Sequence, residues 1–168
     1  IVMLTGSGQF TETVNANRYQ TNSLGILVQG HDDVTFQDIT MSLAGTPSED
    51  NICAAIAFRD SNKSRLVGCE FTAFKKSQIT SFESCFDCSV VFCDFHDCST
   101  NGAQNGQLTG VEIDNNLVAA VPSGRLTVCF NSFTNLTVGA SFLASFGYQA
   151  DAINVLWNQS YGHTLSHN

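Results

Sequence analysis

The sequence predicts an all-β chain folded as a right-handed parallel β-helix of about five to six rungs. A tetrapeptide of the form Val–x–large apolar–polar recurs along the chain, and a segment of alternating apolar residues precedes each copy. Period-two alternation is typical of strands, and no segment shows the apolar stripe of a capped helix. Charged residues make up only 13% of the chain, so Asn, Gln, Ser and Thr must supply its polar surface, as suits stacked strands and turns.

The recurring tetrapeptide puts the same residue types at equivalent points of successive rungs. A stacked rung requires this match because each side chain lies on its equivalent in the next rung, about 4.8 Å away. We therefore expect the valines that open the five copies to form one column inside a hydrophobic cylinder. They are Val34, Val67, Val91, Val128 and Val155.

The segments between the predicted strands differ in length, as expected where loops absorb insertions while the strand columns keep their register. Residues 44–51, 99–107 and 115–124 are interpreted as such insertions. We expect residues 1–168 to form a single β-helix domain. Because neither end carries a polar cap, this domain is interpreted as part of a longer chain.

Composition excludes several classes of partner. The net charge is −8, with only seven Lys and Arg residues. Nucleic acids and anionic membrane surfaces both require a basic surface, so neither is an expected partner. No segment is long and apolar enough to span a bilayer.

The stacked pattern resembles the pectate-lyase-like superfamily of right-handed β-helices, which includes polysaccharide lyases, glycoside hydrolases, epimerases and phage tailspike proteins. The resemblance covers residues 25–162 and concerns the architecture, because many activities share this fold. It implies a polysaccharide or cell-surface glycan as partner, an extracellular or virion-surface location, and a homo-oligomer (a trimer, as in tailspikes) or a longer chain. The ordered motifs of the polygalacturonases are missing: Gly30-His-Asp-Asp33 and Gly162-His163 are only fragments of them.

The strand before each tetrapeptide carries polar residues that we expect on the outer face of the coil. They are Gln29, Arg59, Glu83, Glu112 and Asp114. Carboxylates on adjacent rungs would lie about 5 to 9 Å apart, the separation that glycoside hydrolysis requires. One carboxyl group would protonate the leaving oxygen, and repulsion from the second carboxylate would raise its pKa. The second carboxylate would activate water or attack the sugar.

Glu83, Glu112 and Asp114 are therefore the candidate catalytic residues, and Gln29 and Arg59 the candidate substrate-binding residues. Arg59 would bind a sugar carboxylate through two hydrogen bonds. The arrangement resembles the carboxylate clusters of phage tailspike glycosidases in residue type and rung separation alone. The competing interpretation is a solvated face, with an Arg59–Glu83 surface pair of little energetic weight.

The last position of each tetrapeptide supplies a second polar row. It comprises Gln37, Glu70, Asp94, Asn131 and Asn158. Alternation directs this row away from the valine column. Its functional interpretations are a row of glycan contacts or a Ca²⁺ site at Glu70 and Asp94, since carboxylates suit hard cations. The alternative is a solvated face that keeps the coil soluble.

Seven cysteines raise the question of metal binding or disulfides. The spacings Cys85-x2-Cys88 and Cys93-x4-Cys98 are compatible with zinc. However, Cys93 shares an inward position with Cys69, where cysteine acts as a small buried hydrophobe. We expect no resident cofactor and reduced thiols, with a Cys69–Cys93 or Cys85–Cys98 disulfide as the alternatives.

Two main functions follow from these patterns. The first is a polysaccharide-binding or polysaccharide-cleaving β-helix, similar to the glycoside hydrolases of phage tailspikes. The second is a non-catalytic structural or adhesive β-solenoid of a virion fibre or surface protein. A Ca²⁺- or zinc-binding module is a third alternative, which chelators would destabilise.

Overall fold

The computed structural model describes residues 24–42, 54–74, 77–100, 108–114, 122–138, 150–155 and 162–168. Within these ranges the chain is all-β, with fourteen strands and no helix. Every strand pairing in the three sheets is parallel. The prediction of an all-β chain built from parallel strands is confirmed.

The strands are distributed over three sheets, here named A, B and C. Sheet A contains β1 (Leu24–Gln29), β4 (Ala54–Arg59), β7 (Ser77–Glu83), β10 (Leu108–Asp114) and β13 (Ala150–Val155). Sheet B contains β2 (Thr35–Gln37), β5 (Arg65–Val67), β8 (Ser89–Val91), β11 (Thr127–Cys129) and β14 (Thr164–Ser166). Sheet C contains β3 (Thr40–Ser42), β6 (Glu70–Thr72), β9 (Asp94–Thr100) and β12 (Ser132–Val138).

Consecutive strands enter sheets A, B and C in turn, so the chain returns to sheet A after each circuit. We call one such circuit a coil. This order is consistent with a parallel β-solenoid, in which each coil packs only on its neighbours. The strands of sheet A are rich in Ile, Val and Phe, as is typical of buried parallel strands.

The core is filled by side chains from all three sheets, and its aromatic rings are stacked from coil to coil. Phe58 and Phe82 of sheet A stack with ring centroids 4.8 Å apart. In sheet C, Phe95 stacks on both Phe71 and Phe133, each at 4.9 Å. Stacked pairs of this kind add about 0.5–1.5 kcal/mol to the burial of the rings.

The predicted valine column is wrong at most positions. Val67 does pair with Val91, but Val128 pairs with Val90, one residue earlier. Val34 precedes β2, and Val155 pairs with Ile113 in sheet A. The column that enters the core in sheet B is Phe36, Leu66, Val90 and Val128, and its register continues to Leu165, which is exposed.

The corner between sheets B and C has the same backbone form in each described coil. One residue has φ between +52° and +61°, and its N–H donates to a carbonyl of the adjacent coil in the first four coils, at 3.0 to 3.4 Å. These residues, which we call the aromatic corner column, are Asp38, Gly68, Phe92, Phe130 and His167. Positive φ is uncommon for residues other than glycine, and for bulky side chains it is a strained conformation.

The corner between sheets A and B carries charged side chains in four consecutive coils, which we call the charged corner column. They are Asp33, Lys63, Asp87 and Arg125, with φ between +55° and +59°. Arg125 binds Asp87 through two hydrogen bonds of 2.7 Å, from Nε and Nη2. Opposite charges therefore alternate from coil to coil along this corner.

Removal of one ring from the stacked core should destabilise the fold. We expect Phe95→Ala to lower the free energy of unfolding by about 3–5 kcal/mol, since it leaves a cavity between two stacked rings. Urea unfolding followed by circular dichroism measures this change. Phe130→Ala is the matched control because Phe130 is 52% exposed, and equal losses in the two variants would contradict the assignment of Phe95 to the core.

Candidate functional site

The row of predicted site residues in sheet A occupies one register position in four consecutive strands. Gln29 pairs with Arg59, and Arg59 pairs with Glu83. Glu83 in turn pairs with Asp114. Glu112 lies two residues before Asp114, opposite Ser81. The sequence therefore predicted correctly that these residues share neighbouring positions on adjacent strands.

The prediction that this row faces solvent is wrong for three of its members. Arg59 is 5% exposed, Glu83 6% and Glu112 2%. Gln29 is exposed. The side chain of Asp114 lies outside the described residues. Alternation separates the two faces of a strand, but it does not reveal whether the second face is covered by other parts of the chain.

Arg59 and Glu83 form a buried ion pair between β4 and β7. Arg59 Nε donates to Glu83 Oε2 at 2.9 Å, and both side chains are almost fully buried. The competing interpretation, a weak pair on the surface, predicted the right partners but the wrong surroundings, because the pair is buried. Breaking a buried ion pair by removing one partner typically costs about 3–5 kcal/mol. The carboxylate of Glu83 is therefore engaged in holding adjacent strands together.

The second predicted row is aligned as predicted at two positions and wrong at two others. Glu70 and Asp94 do pair across β6 and β9, but Gln37 pairs with Val67 in sheet B. Asn158 lies outside the described residues. The error arises because Gln37 ends a strand of sheet B, whereas Glu70 begins a strand of sheet C after the corner.

Asn131, also assigned to that row, is buried at the corner and serves the backbone. Its Oδ1 accepts a hydrogen bond from the N–H of Cys93 at 2.9 Å, and its Nδ2 donates to the carbonyl of Val90 at 3.0 Å. Both polar atoms of the Asn131 side-chain amide thus form hydrogen bonds with backbone groups of the adjacent coil. Asn131 is therefore a structural residue of the turn.

A polar network that the sequence analysis missed runs across sheet C. His96 Nε2 lies 2.9 Å from Glu70 Oε1, and His96 Nδ1 lies 2.9 Å from Asp97 Oδ2. Glu70 Oε2 accepts a hydrogen bond from Thr40 at 2.8 Å, and Asp97 Oδ1 accepts one from Asn135 at 2.6 Å. We call these five residues the His96 network. It joins all four strands of sheet C. The one sequence feature that could have indicated it is the segment Asp94-Phe-His-Asp97, in which a histidine lies close to two carboxylates.

The charges of the His96 network reinforce one another. Hydrogen bonds to Asp97 and Glu70 raise the pKa of His96 above its ordinary value. The hydrogen bonds from His96 and Thr40 lower the pKa of Glu70, and those from Asn135 and His96 lower the pKa of Asp97. An imidazole held between two carboxylates carries its charge at higher pH than a free histidine does.

The six described cysteines are buried free thiols: Cys69, Cys85, Cys88, Cys93, Cys98 and Cys129. Neither alternative disulfide, Cys69–Cys93 or Cys85–Cys98, is formed. Burial raises the pKa of Cys98, which keeps this thiol protonated. Cys69 and Cys93 meet across adjacent coils in the core, as expected from their equivalent positions.

Metal binding finds no geometric support in the described part of the chain. Among those residues, no group of three or more His, Cys, Asp and Glu side chains is arranged to hold a metal ion. Glu70, the proposed Ca²⁺ ligand, instead binds His96 and Thr40. Asp94 Oδ1 is a buried atom without a hydrogen-bond partner.

No protein-family model, no curated protein and no solved structure matches the chain. Within the described ranges no helix could cross a membrane. Because a fold alone does not define an activity, function must be argued from the contacts described above.

The Arg59–Glu83 pair should contribute strongly to stability. We expect Glu83→Gln to lower the free energy of unfolding by about 3–5 kcal/mol, the usual cost of breaking a buried ion pair from one side. Arg59→Met combined with Glu83→Leu should recover most of the loss, as measured by urea unfolding. Arg125→Met, which breaks an exposed pair, is the control with a much smaller effect. A negligible effect of Glu83→Gln would contradict the burial of the pair.

The His96 network should make stability depend on pH. Protonated His96 stabilises the fold below its ordinary pKa of 6.5, and this contribution is lost as the pH rises through the raised value. Glu70 and Asp97 stabilise it above their ordinary pKa values of 4.5 and 3.8, and this contribution is lost as the pH falls through the lowered values. The network is therefore most stabilising between about pH 5 and 6.5.

We expect the stability lost in His96→Gln to be larger at about pH 5.5 than at about pH 8.5, as measured by urea unfolding. Thr134→Gln is the matched control, because Thr134 pairs with His96 in the adjacent coil and does not titrate. The assignment fails if both variants show the same pH dependence.

Proposed function

We propose that the chain is part of a right-handed parallel β-helix that serves as a non-catalytic structural or adhesive surface. Parallel strands in one sheet are joined by right-handed crossovers in about 98% of cases, which supports this handedness for the coils. This proposal includes the likeness to the pectate-lyase-like superfamily and an extracellular or virion-surface location. It also includes a polysaccharide or cell-surface glycan as partner and assembly as a trimer or within a longer chain.

The buried Arg59–Glu83 pair is the observation that carries the proposal. Glycoside hydrolysis requires two carboxyl groups that flank a sugar ring and exchange protons with it. Glu83 binds Arg59 at 2.9 Å, and Glu112 is almost fully buried. Two of the three candidate carboxylates therefore contribute to the interior of the protein, which favours a scaffold over an active site.

Polysaccharide cleavage remains a second candidate because of the register in sheet A. Gln29, Arg59, Glu83 and Asp114 occupy the same position in four adjacent strands, one of which also carries Glu112. Glu83 and Asp114 therefore lie on adjacent strands, at a spacing suited to hydrolysis.

The two candidates differ in the products formed from glycans. We expect the wild-type chain, incubated with a panel of bacterial surface polysaccharides, to release neither reducing ends nor unsaturated uronates. New reducing ends that disappear in Glu112→Gln, with the circular dichroism spectrum unchanged, would establish hydrolysis and end the scaffold proposal. Unsaturated ends would indicate a lyase instead. Retention of a polysaccharide by the immobilised chain without cleavage would support the adhesive form.

A further inference from the structure

The aromatic corner column contains a stack of three exposed rings. Phe92 and Phe130 lie parallel with centroids 5.4 Å apart, and Phe130 and His167 lie parallel at 4.8 Å. Phe130 is thus covered by a ring on each face, whereas among the described residues Phe92 has a stacked ring on one face only. Phe92 is also the more exposed of the two phenylalanines, at 64%.

The open face of Phe92 lies over Gly68, its equivalent in the preceding coil. The N–H of Gly68 donates to the carbonyl of Val91 at 3.0 Å, which fixes this alignment. The coil of Gly68 lies between those of Phe92 and Asp38. Because Gly68 has no side chain, its layer of the column, about 4.8 Å high, contains no side chain of its own.

The carboxylate of Asp38 reaches into the same layer. A Cβ added to Gly68 would lie only 2.7 Å from Asp38 Oδ1. Asp38 Oδ2 accepts a hydrogen bond from Gln37 Nε2 at 3.1 Å, which holds the carboxylate in this orientation. A carboxylate oxygen and an aromatic face therefore border one solvent-exposed slot, which we call the Asp38–Phe92 slot.

Both walls of the slot favour a cation. The face of an aromatic ring has negative electrostatic potential, and it attracts a cation within about 6 Å of the ring centroid. A guanidinium group suits the slot better than an ammonium group, because it is planar, stacks on a ring and donates several hydrogen bonds in its plane. The net charge of −8 also raises the concentration of cationic groups at the surface.

We propose that the Asp38–Phe92 slot binds an arginine side chain of a basic partner protein. The guanidinium stacks on the open face of Phe92 and donates to Asp38 Oδ1. This inference rests on the contacts of the corner alone and does not require the proposed scaffold function, so the glycan incubation and the peptide experiment below succeed or fail separately.

The experiment uses a fluorescein-labelled peptide in which four arginines are separated by Gly-Ser pairs, with matched lysine and citrulline peptides. Fluorescence anisotropy gives the dissociation constants for the wild-type chain. We expect the arginine peptide to bind at least about tenfold more tightly than the citrulline peptide and about threefold more tightly than the lysine peptide. Equal affinity for arginine and citrulline overturns the proposal without any variant of the chain.

Four substitutions locate the binding. Asp38→Asn and Phe92→Leu should each weaken binding of the arginine peptide at least about fivefold. Asp33→Asn, which removes the same charge at the other corner, and Phe130→Leu, which retains the open ring, should change it by less than about twofold. Circular dichroism checks that each variant is folded.

Gly68→Asn provides a further test, because its side chain fills the layer and displaces the Asp38 carboxylate, whose Oδ1 lies 2.7 Å from an added Cβ. Asparagine accepts a positive φ better than most residues, so the corner, with φ of +61° at Gly68, should persist. We expect binding to fall to the level of the citrulline peptide.

Equal losses in Asp38→Asn and Asp33→Asn would show a general charge effect and refute the slot. Binding of a neutral oligosaccharide that is lost in Phe92→Leu but kept in Asp38→Asn would replace arginine by a sugar as the occupant and likewise refute the proposal.

Discussion

The backbone hydrogen bonds between successive coils are the constraint on which the rest of the structure depends. Parallel pairing gives each paired strand residue one fixed partner in the neighbouring coil, and the corner N–H groups extend this pairing around the bends. Side chains far apart in the sequence therefore meet in rows. The stack of Phe71, Phe95 and Phe133 and the contact between Arg59 and Glu83 follow from the same register.

The sequence predicted the parallel all-β architecture and the alignment in sheet A, but it failed in sheet B. In sheet A, the strands that end at Gln29, Arg59 and Glu83 each place a polar residue before the turn, so the register could be read directly. In sheet B, Leu66-Val67 and Val90-Val91 are apolar on both faces of their strands. Alternation then cannot select the inward residue, and a slip of one position exchanges the faces.

The candidate sites show the same limit. The burial of Glu83 depends on its surroundings in the folded chain, which no local pattern contains. Glu70 and His96, 26 residues apart in the chain, meet only because β6 and β9 pair. At the aromatic corner column, Phe92 and Phe130 adopt positive φ although bulky residues rarely do, so these two bends lacked their usual sequence signal.

The charged corner column has a consequence for how such a chain evolves. Repeat proteins commonly grow and shrink by duplication or loss of whole repeats. Loss of the coil that carries Lys63 would bring Asp33 against Asp87, and its duplication would bring two lysines together. The charge at this corner therefore favours particular neighbours for each coil, and the present order of coils places unlike charges side by side.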